Sequence, residues 1–234
     1  MMMIPAPQQT TLTVHGRRVP LAWWIPTDTS TACPLVLVGH GGSGHKTSTL
    51  VLDIVNLLLP AGIAVAAIDG PVHGGRRAVF ADGPLVRDEF RELWSQGASV
   101  DPMVEDWQAA IDHLCGLPSI DAHRIAWYGI SMGTAYGVPV VAADPRIRAA
   151  VLGMWGTCRQ PSERLAADAQ AIQVPVLFQV KRSDAIFTPE GQQDLYDRIA
   201  SNHKQFVAYD GGHTDPADQQ LQDIAQFLQT QLGT

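Results

Sequence analysis

Gly129-Ile130-Ser131-Met132-Gly133 sets a serine between two glycines in a G-x-S-x-G pattern, after the apolar stretch Arg124 to Tyr128 and before a helical segment opening at Met132. In a strand-turn-helix context such a serine sits in strained backbone geometry with its hydroxyl free above a sheet. The backbone N–H of Met132, at a helix N-terminus, then faces the same space, where negative charge is favoured. The pattern also arises by chance in glycine-rich loops, so its placement between a strand and a helix is what carries weight.

A serine hydroxyl is a weak nucleophile near neutral pH and needs a base within hydrogen-bond reach, itself oriented by a third group. Eight histidines compete for that role. His213, in Gly211-Gly212-His213, follows the apolar run Gln205 to Tyr209 and precedes the last helical segment, on a loop whose glycines let the imidazole turn. His15 falls in a hairpin turn, while His113, His123 and His203 fall on helices or before strands, where a solvated or capping role is the plainer reading. His40, His45 and His73 share the catalytic edge and are read as lining the pocket or bracing its loops. For the orienting acid, Asp184 follows the run Val174 to Val180 on a loop at the same edge; its rival Asp210 adjoins the strand before the base and suits a turn. The chain order is Ser131, Asp184, His213, a nucleophile-acid-base order.

His40-Gly41-Gly42-Ser43-Gly44 follows the run Leu35 to Val38. Glycines there bring backbone N–H groups close to a ligand, and Gly42 is the expected second oxyanion donor beside Met132, with Gly41 the alternative. A phosphate loop is the competing use, but His45-Lys46-Thr47 does not complete G-x-x-x-x-G-K-[ST] at the needed spacing. Gly41, His45, His73, Trp155, Ile186 and Phe187 are the candidates for the substrate pocket, the last three forming an apolar acyl or alcohol site, with core packing the alternative for each. Arg76, Arg77, Lys181 and Arg182 are read as solvated cations that would otherwise favour an anionic substrate.

These residues need a scaffold that delivers their loops to one edge. Thr10 to Val14 and Val19 to Ile25 flank the His15-Gly16 turn as a hairpin would. Short Val- and Ile-rich runs follow at Leu35 to Val38, Ile63 to Ile68, Ile125 to Tyr128, Ala149 to Met154, Val174 to Val180 and Gln205 to Tyr209. Such runs suit strands buried on both faces of a mostly parallel sheet. Segments of helical period alternate with them at Thr47 to Leu59, Met103 to Leu114, Met132 to Ala143, Pro189 to Ala200 and Pro216 to Leu232. The alternation predicts an α/β fold of about eight strands with helices on both faces. Asp101-Pro102, Thr188-Pro189 and Asp215-Pro216 are expected helix starts.

The 234 residues, 46% hydrophobic and 17% charged, fit one domain over residues 1–234 with a large core. Its net charge of -7 comes from scattered acids and no basic run is present, which leaves a nucleic-acid or membrane role unsupported. Cys33, Cys115 and Cys158 are odd in number, without metal-ligand spacing, so a reducing cytoplasm is expected and no metal. The first nine residues lack the basic and apolar regions of a secretory signal.

On these motifs the chain resembles the α/β-hydrolase superfamily, and within it the small dienelactone-hydrolase-like and prolyl-oligopeptidase-like esterases, from about Leu35 to Leu228. Asp69-Gly70-Pro71-Val72-His73-Gly74-Gly75-Arg76 adds to the likeness, resembling the D-x-P-x-H-G-x-R loop after the fourth strand of such esterases, where it is mainly structural. The resemblance implies a cofactor-independent serine esterase acting on a small-molecule ester, as a monomer or homodimer. Dienelactone hydrolases proper use cysteine where this chain has Ser131, so lactone specificity is not carried over. Amidase, thioesterase or peptidase activity on the same triad is the near alternative, and a non-catalytic binding protein the distant one. The link from Met154 to Val174 is too short for a large cap domain; residues 77–100, with Phe80, Phe90 and Trp94, are expected to fold over the site as a partial lid.

Overall fold

A computed structural model describes residues 5–27 and 31–234. Eight strands form one sheet in the order β1-β2-β4-β3-β5-β6-β7-β8. The strands are β1 Gln8–Val14, β2 Arg17–Trp24, β3 Cys33–Gly39, β4 Ala64–Ile68, β5 Ile120–Gly129, β6 Ile147–Gly153, β7 Val176–Lys181 and β8 Lys204–Tyr209. β1 and β2 pair antiparallel and β2 meets β4 antiparallel; every pairing from β4 through β8 is parallel. Parallel neighbours need crossovers, which the helices supply.

Alternation along each strand divides the core between the two faces. Leu35 and Leu37 of β3 join one cluster, while Val36 and Val38 join the other. Helices α1 (Thr49–Leu58) and α7 (Gln219–Leu232) cover the second face through Leu50, Ile54, Leu58, Ile224 and Leu228. The first face is covered by α2 (Pro84–Ser95), α3 (Val100–Cys115), α4 (Met132–Ala143), α5 (Glu163–Ala169) and α6 (Pro189–Arg198). α4 is buried over most of its circumference, consistent with a sequence that is apolar all round. This is the α/β-hydrolase fold without a large cap domain: the stretch between β6 and β7 holds only the two-turn helix α5. Among the described residues, no helix is long and apolar enough to cross a membrane.

Residues 77–100 contain α2, which buries Val86, Phe90 and Trp94 at successive turns. Two helix starts depart from expectation. Asp101 lies within the first turn of α3, whose N-cap is Ser99. Asp215-Pro216 does not start the last helix, because four residues after Thr214 carry the chain from the base loop before α7 opens at Gln219. Thr188 does cap α6, its side chain accepting from the Gly191 N–H at 3.1 Å.

Candidate active site

Ser131 lies between β5 and α4 with φ 55° and ψ −122°, a region side chains rarely adopt. Its N–H donates to Gly153 O on β6 at 3.0 Å. The buried Thr134 hydroxyl lies 2.8 Å from Gly129 O and 2.6 Å from Gly153 O, tying the first turn of α4 to both strands. The helix can come this close because position 133 has no side chain: a Cβ there would stand 2.2 Å from Gly39 O. Packing holds the strained turn in place.

The parallel order brings the loops after β5, β7 and β8 to the same edge. Ser131 Oγ donates to His213 Nε2 at 2.9 Å, and His213 Nδ1–H donates to Asp184 Oδ2 at 2.8 Å. Asp184 Oδ1 accepts from the N–H groups of Ile186 and Phe187 at 2.8 and 3.1 Å. Burial pushes the Asp184 carboxyl up, but the His213 bond and these two N–H groups outweigh it and hold the group below the usual carboxylate value. An ionised Asp184 suits one tautomer of His213, with Nε2 free to accept a proton. Asp210 points to solvent, its side chain 95% exposed and paired with Arg182 at 3.1 Å.

A cleft of about 470 Å³ opens above Ser131. Gly41, Gly42, Trp155, Ile186 and Phe187 line it together with Ser131 and His213. Trp155 and Phe187 form a buried wall, their rings 4.6 Å apart, and Phe187 lies 5.5 Å from the His213 ring. Met132 has its side chain in the core, which leaves only its backbone at the site.

Two candidates do not reach the cleft lining. His73 is fully buried behind the glycine loop, its Nε2 3.0 Å from Gly42 O. His45 turns back on its own loop, its Nδ1 accepting from Thr47 N at 3.3 Å and its ring packed edge-on against Phe80. Both glycine-rich loops close tightly, so their histidines become internal braces. Arg76 is likewise buried rather than solvated, bound to Asp106 at 2.7 Å and to Asp69 O at 2.8 Å. Conversely, Asp82, Arg87 and Arg91 of the 77–100 segment and Arg159 before α5 line the cleft without having been singled out, beside Phe90 of the segment expected to fold over the site. The i, i+4, i+8 spacing of Val86, Phe90 and Trp94 was the signal for α2. Among the described residues, no group of three or more His, Cys, Asp or Glu side chains is arranged to hold a metal ion.

Residues 25–214 match the dienelactone hydrolase family. The chain belongs to that family. This family member is therefore a hydrolase, with Ser131 standing after the fifth strand. In structure it is similar to a novel cold-adapted esterase from an Arctic intertidal metagenomic library, in its PEG-bound complex, with TM-score 0.85, 29% identity, and 97% and 94% of the two chains covered. A 2,6-dihydroxy-pseudo-oxynicotine hydrolase shares the fold at TM-score 0.74 and 20% identity, over 98% of this chain and 68% of that one. An uncharacterised protein of Mycobacterium tuberculosis is 25% identical over 238 residues, covering 91% of this family member and 77% of the relative.

Proposed function

We propose that this protein hydrolyses carboxylic esters of small molecules through an acyl-enzyme on Ser131. The observation that supports this reading best is the unbroken chain from Asp184 to His213 to Ser131, at 2.8 and 2.9 Å. His213 Nε2 takes the Ser131 proton as Oγ attacks the ester carbonyl. The oxyanion is held by the N–H groups of Met132 and Gly42, and the helix end at Met132 favours the developing charge. Protonated His213 then delivers its proton to the departing alcohol. A water, deprotonated by the same ring, releases the acid and restores the serine. Asp184 stays ionised throughout, fixing the tautomer and stabilising the imidazolium.

Trp155, Phe187 and Ile186 supply the apolar side of the cleft, and its size is within the range of small-molecule sites, roughly 300–1,000 Å³. The likeness to a cold-adapted esterase over nearly the whole chain favours an ester over other acyl compounds. The test is intact mass after treatment with a fluorophosphonate, followed by a p-nitrophenyl ester series of increasing acyl length. One adduct on the wild type that is absent from Ser131→Ala, with ester turnover lost in the same variant, is the expected result. Folded wild type that gains no adduct would refute the reading.

A further inference from the structure

Two buried histidines stand behind the glycine loop, and the Ser131–His213–Asp184 chain uses neither. His40 is 1% exposed and His73 fully buried, their rings meeting edge to face with centroids 4.9 Å apart. His40 Nδ1 lies 2.8 Å from Gly41 O, and His73 Nε2 lies 3.0 Å from Gly42 O. A carbonyl only accepts, so each of these nitrogens carries a proton. Gly70 N–H donates to His40 Nε2 at 2.9 Å, which makes His40 neutral with its proton on Nδ1. A neutral His73 has the opposite tautomer, protonated on Nε2. Burial pushes both rings below the usual histidine value, His40 furthest, where the neighbouring His73 adds to the effect. The other ionisable groups that face the pair are His45, Asp69, Arg76, Arg77 and Glu89. Asp69 is itself buried and engaged with Lys46 at 3.1 Å and the Gly75 N–H at 2.8 Å.

The consequence lies in the peptide planes. A trans peptide sets its C=O and N–H on opposite sides. Gly41 O shares a plane with the Gly42 N–H, and Gly42 O shares the next plane with the Ser43 N–H. Drawing both carbonyls inward turns both N–H groups outward, on the side where Gly42 and Ser43 line the cleft. The Gly44 N–H also binds Gly41 O, at 3.0 Å, closing the turn.

We propose that His40 and His73 are positioning residues for oxyanion stabilisation, holding two consecutive peptide planes so that Gly42 and Ser43 both present N–H groups to the cleft. The proposal rests on Ser131 being the nucleophile. It adds Ser43 to the donors and gives the two histidines separate tautomers with separate tasks.

Two measurements on the full chain test it. Imidazole nitrogen NMR of the wild type near pH 7 should find His40 protonated on Nδ1 alone and His73 on Nε2 alone; a His73 proton on Nδ1 overturns the proposal without any variant. The second measurement compares His73→Leu, which removes the donor, and His73→Asn, whose shorter amide sets it near the place of Nδ1, with His73→Gln, whose amide nitrogen falls near the place of Nε2. For the first two, kcat on a p-nitrophenyl ester should fall about 10²–10³-fold with KM little changed, as for loss of an oxyanion donor. Phosphonylation of Ser131 should slow in parallel, and the glutamine variant should recover most of both. Leucine and asparagine variants that fold and phosphonylate Ser131 at the wild-type rate overturn the positioning role alone. A wild type that is never phosphonylated overturns the ester-hydrolysis reading first, and the two failures are told apart by that control.

Discussion

Ser131 and His213 are 2.9 Å apart, yet the regions that carry them are built on opposite lines. Ser131 is wedged between β5, β6 and α4, where a methyl group at position 133 would strike Gly39 O at 2.2 Å and one at position 129 would strike Gly133 O at 2.6 Å. The loop of His213 lies open at the edge of the sheet, with Gly211 at φ 106° and no atom within 4 Å of where its Cβ would be. It is held by a few backbone bonds, such as Ser183 N–H to Gly211 O at 3.0 Å, and by Asp184 on the ring itself. A nucleophile in a strained conformation needs a packed surround to keep it there, whereas a base needs only to be aimed. The nucleophile side stakes stability on close contact; the base side depends on one carboxylate.

The sharpest way to break the base side alone is Asp184→Asn. The amide keeps an oxygen for the Ile186 and Phe187 N–H groups, so the fold should survive, but it no longer selects the right His213 tautomer. Activity on an ester should drop about 10⁴-fold, measured as kcat, with urea unfolding changed by less than about 1 kcal/mol. Gly133→Ala should do the reverse, costing about 3 kcal/mol or more in urea unfolding, because the new methyl meets the Gly39 backbone and the strand or the helix must move.

The alternation of apolar runs with helical segments made the sheet legible in the sequence, and the placement of Ser131, Asp184 and His213 on loops after strands made the proposed site so. Those signals are local: a strand is read from its own run, and Ser131 from five residues. Helices α2 and α5 escaped because each is set among glycines, prolines and charges, α5 is only two turns long, and Phe90 of α2 finds its partners far along the chain at Tyr136 and Trp155. The roles of His40, His45 and His73 were left open between pocket and brace for a related reason. A histidine beside glycines reads the same whether its loop closes toward the cleft or away from it, and that depends on contacts between loops about 30 residues apart, as with Gly70 and His40.

Acid separates the two regions further. His40 and His73 titrate below the usual histidine value in the folded state, so as pH falls below about 6.5 the unfolded chain takes up protons that the native chain refuses. Stability is complete above that pH and declines below it, by at most about 1.4 kcal/mol per pH unit for each ring. Urea midpoints measured between pH 7.5 and about 5 should fall in the wild type, and less steeply in His73→Gln. An equal slope in the variant would mean that His73 is not the group responsible. The smallest effect belongs to Gly212→Ala, where the nearest foreign atom to the new methyl is Ser183 O at 3.6 Å. Its unfolding should match wild type within about 0.5 kcal/mol and its kcat within a few fold; a collapse like that of Gly133→Ala would erase the contrast between the two sides.

Asp69 gives the nucleophile side a collective character in time as well as in space. Its carboxylate accepts from the N–H groups of Lys46 and Gly75, at 2.9 and 2.8 Å, while the Gly70 N–H goes to His40 and Arg76 reaches back to Asp69 O. Three amide protons on two loops thus end on side chains of one cluster. Such groups open as a unit, with a single free energy. In deuterated solvent the amides of Lys46, Gly70 and Gly75 would exchange together and slowly, a shared clock for the two loops.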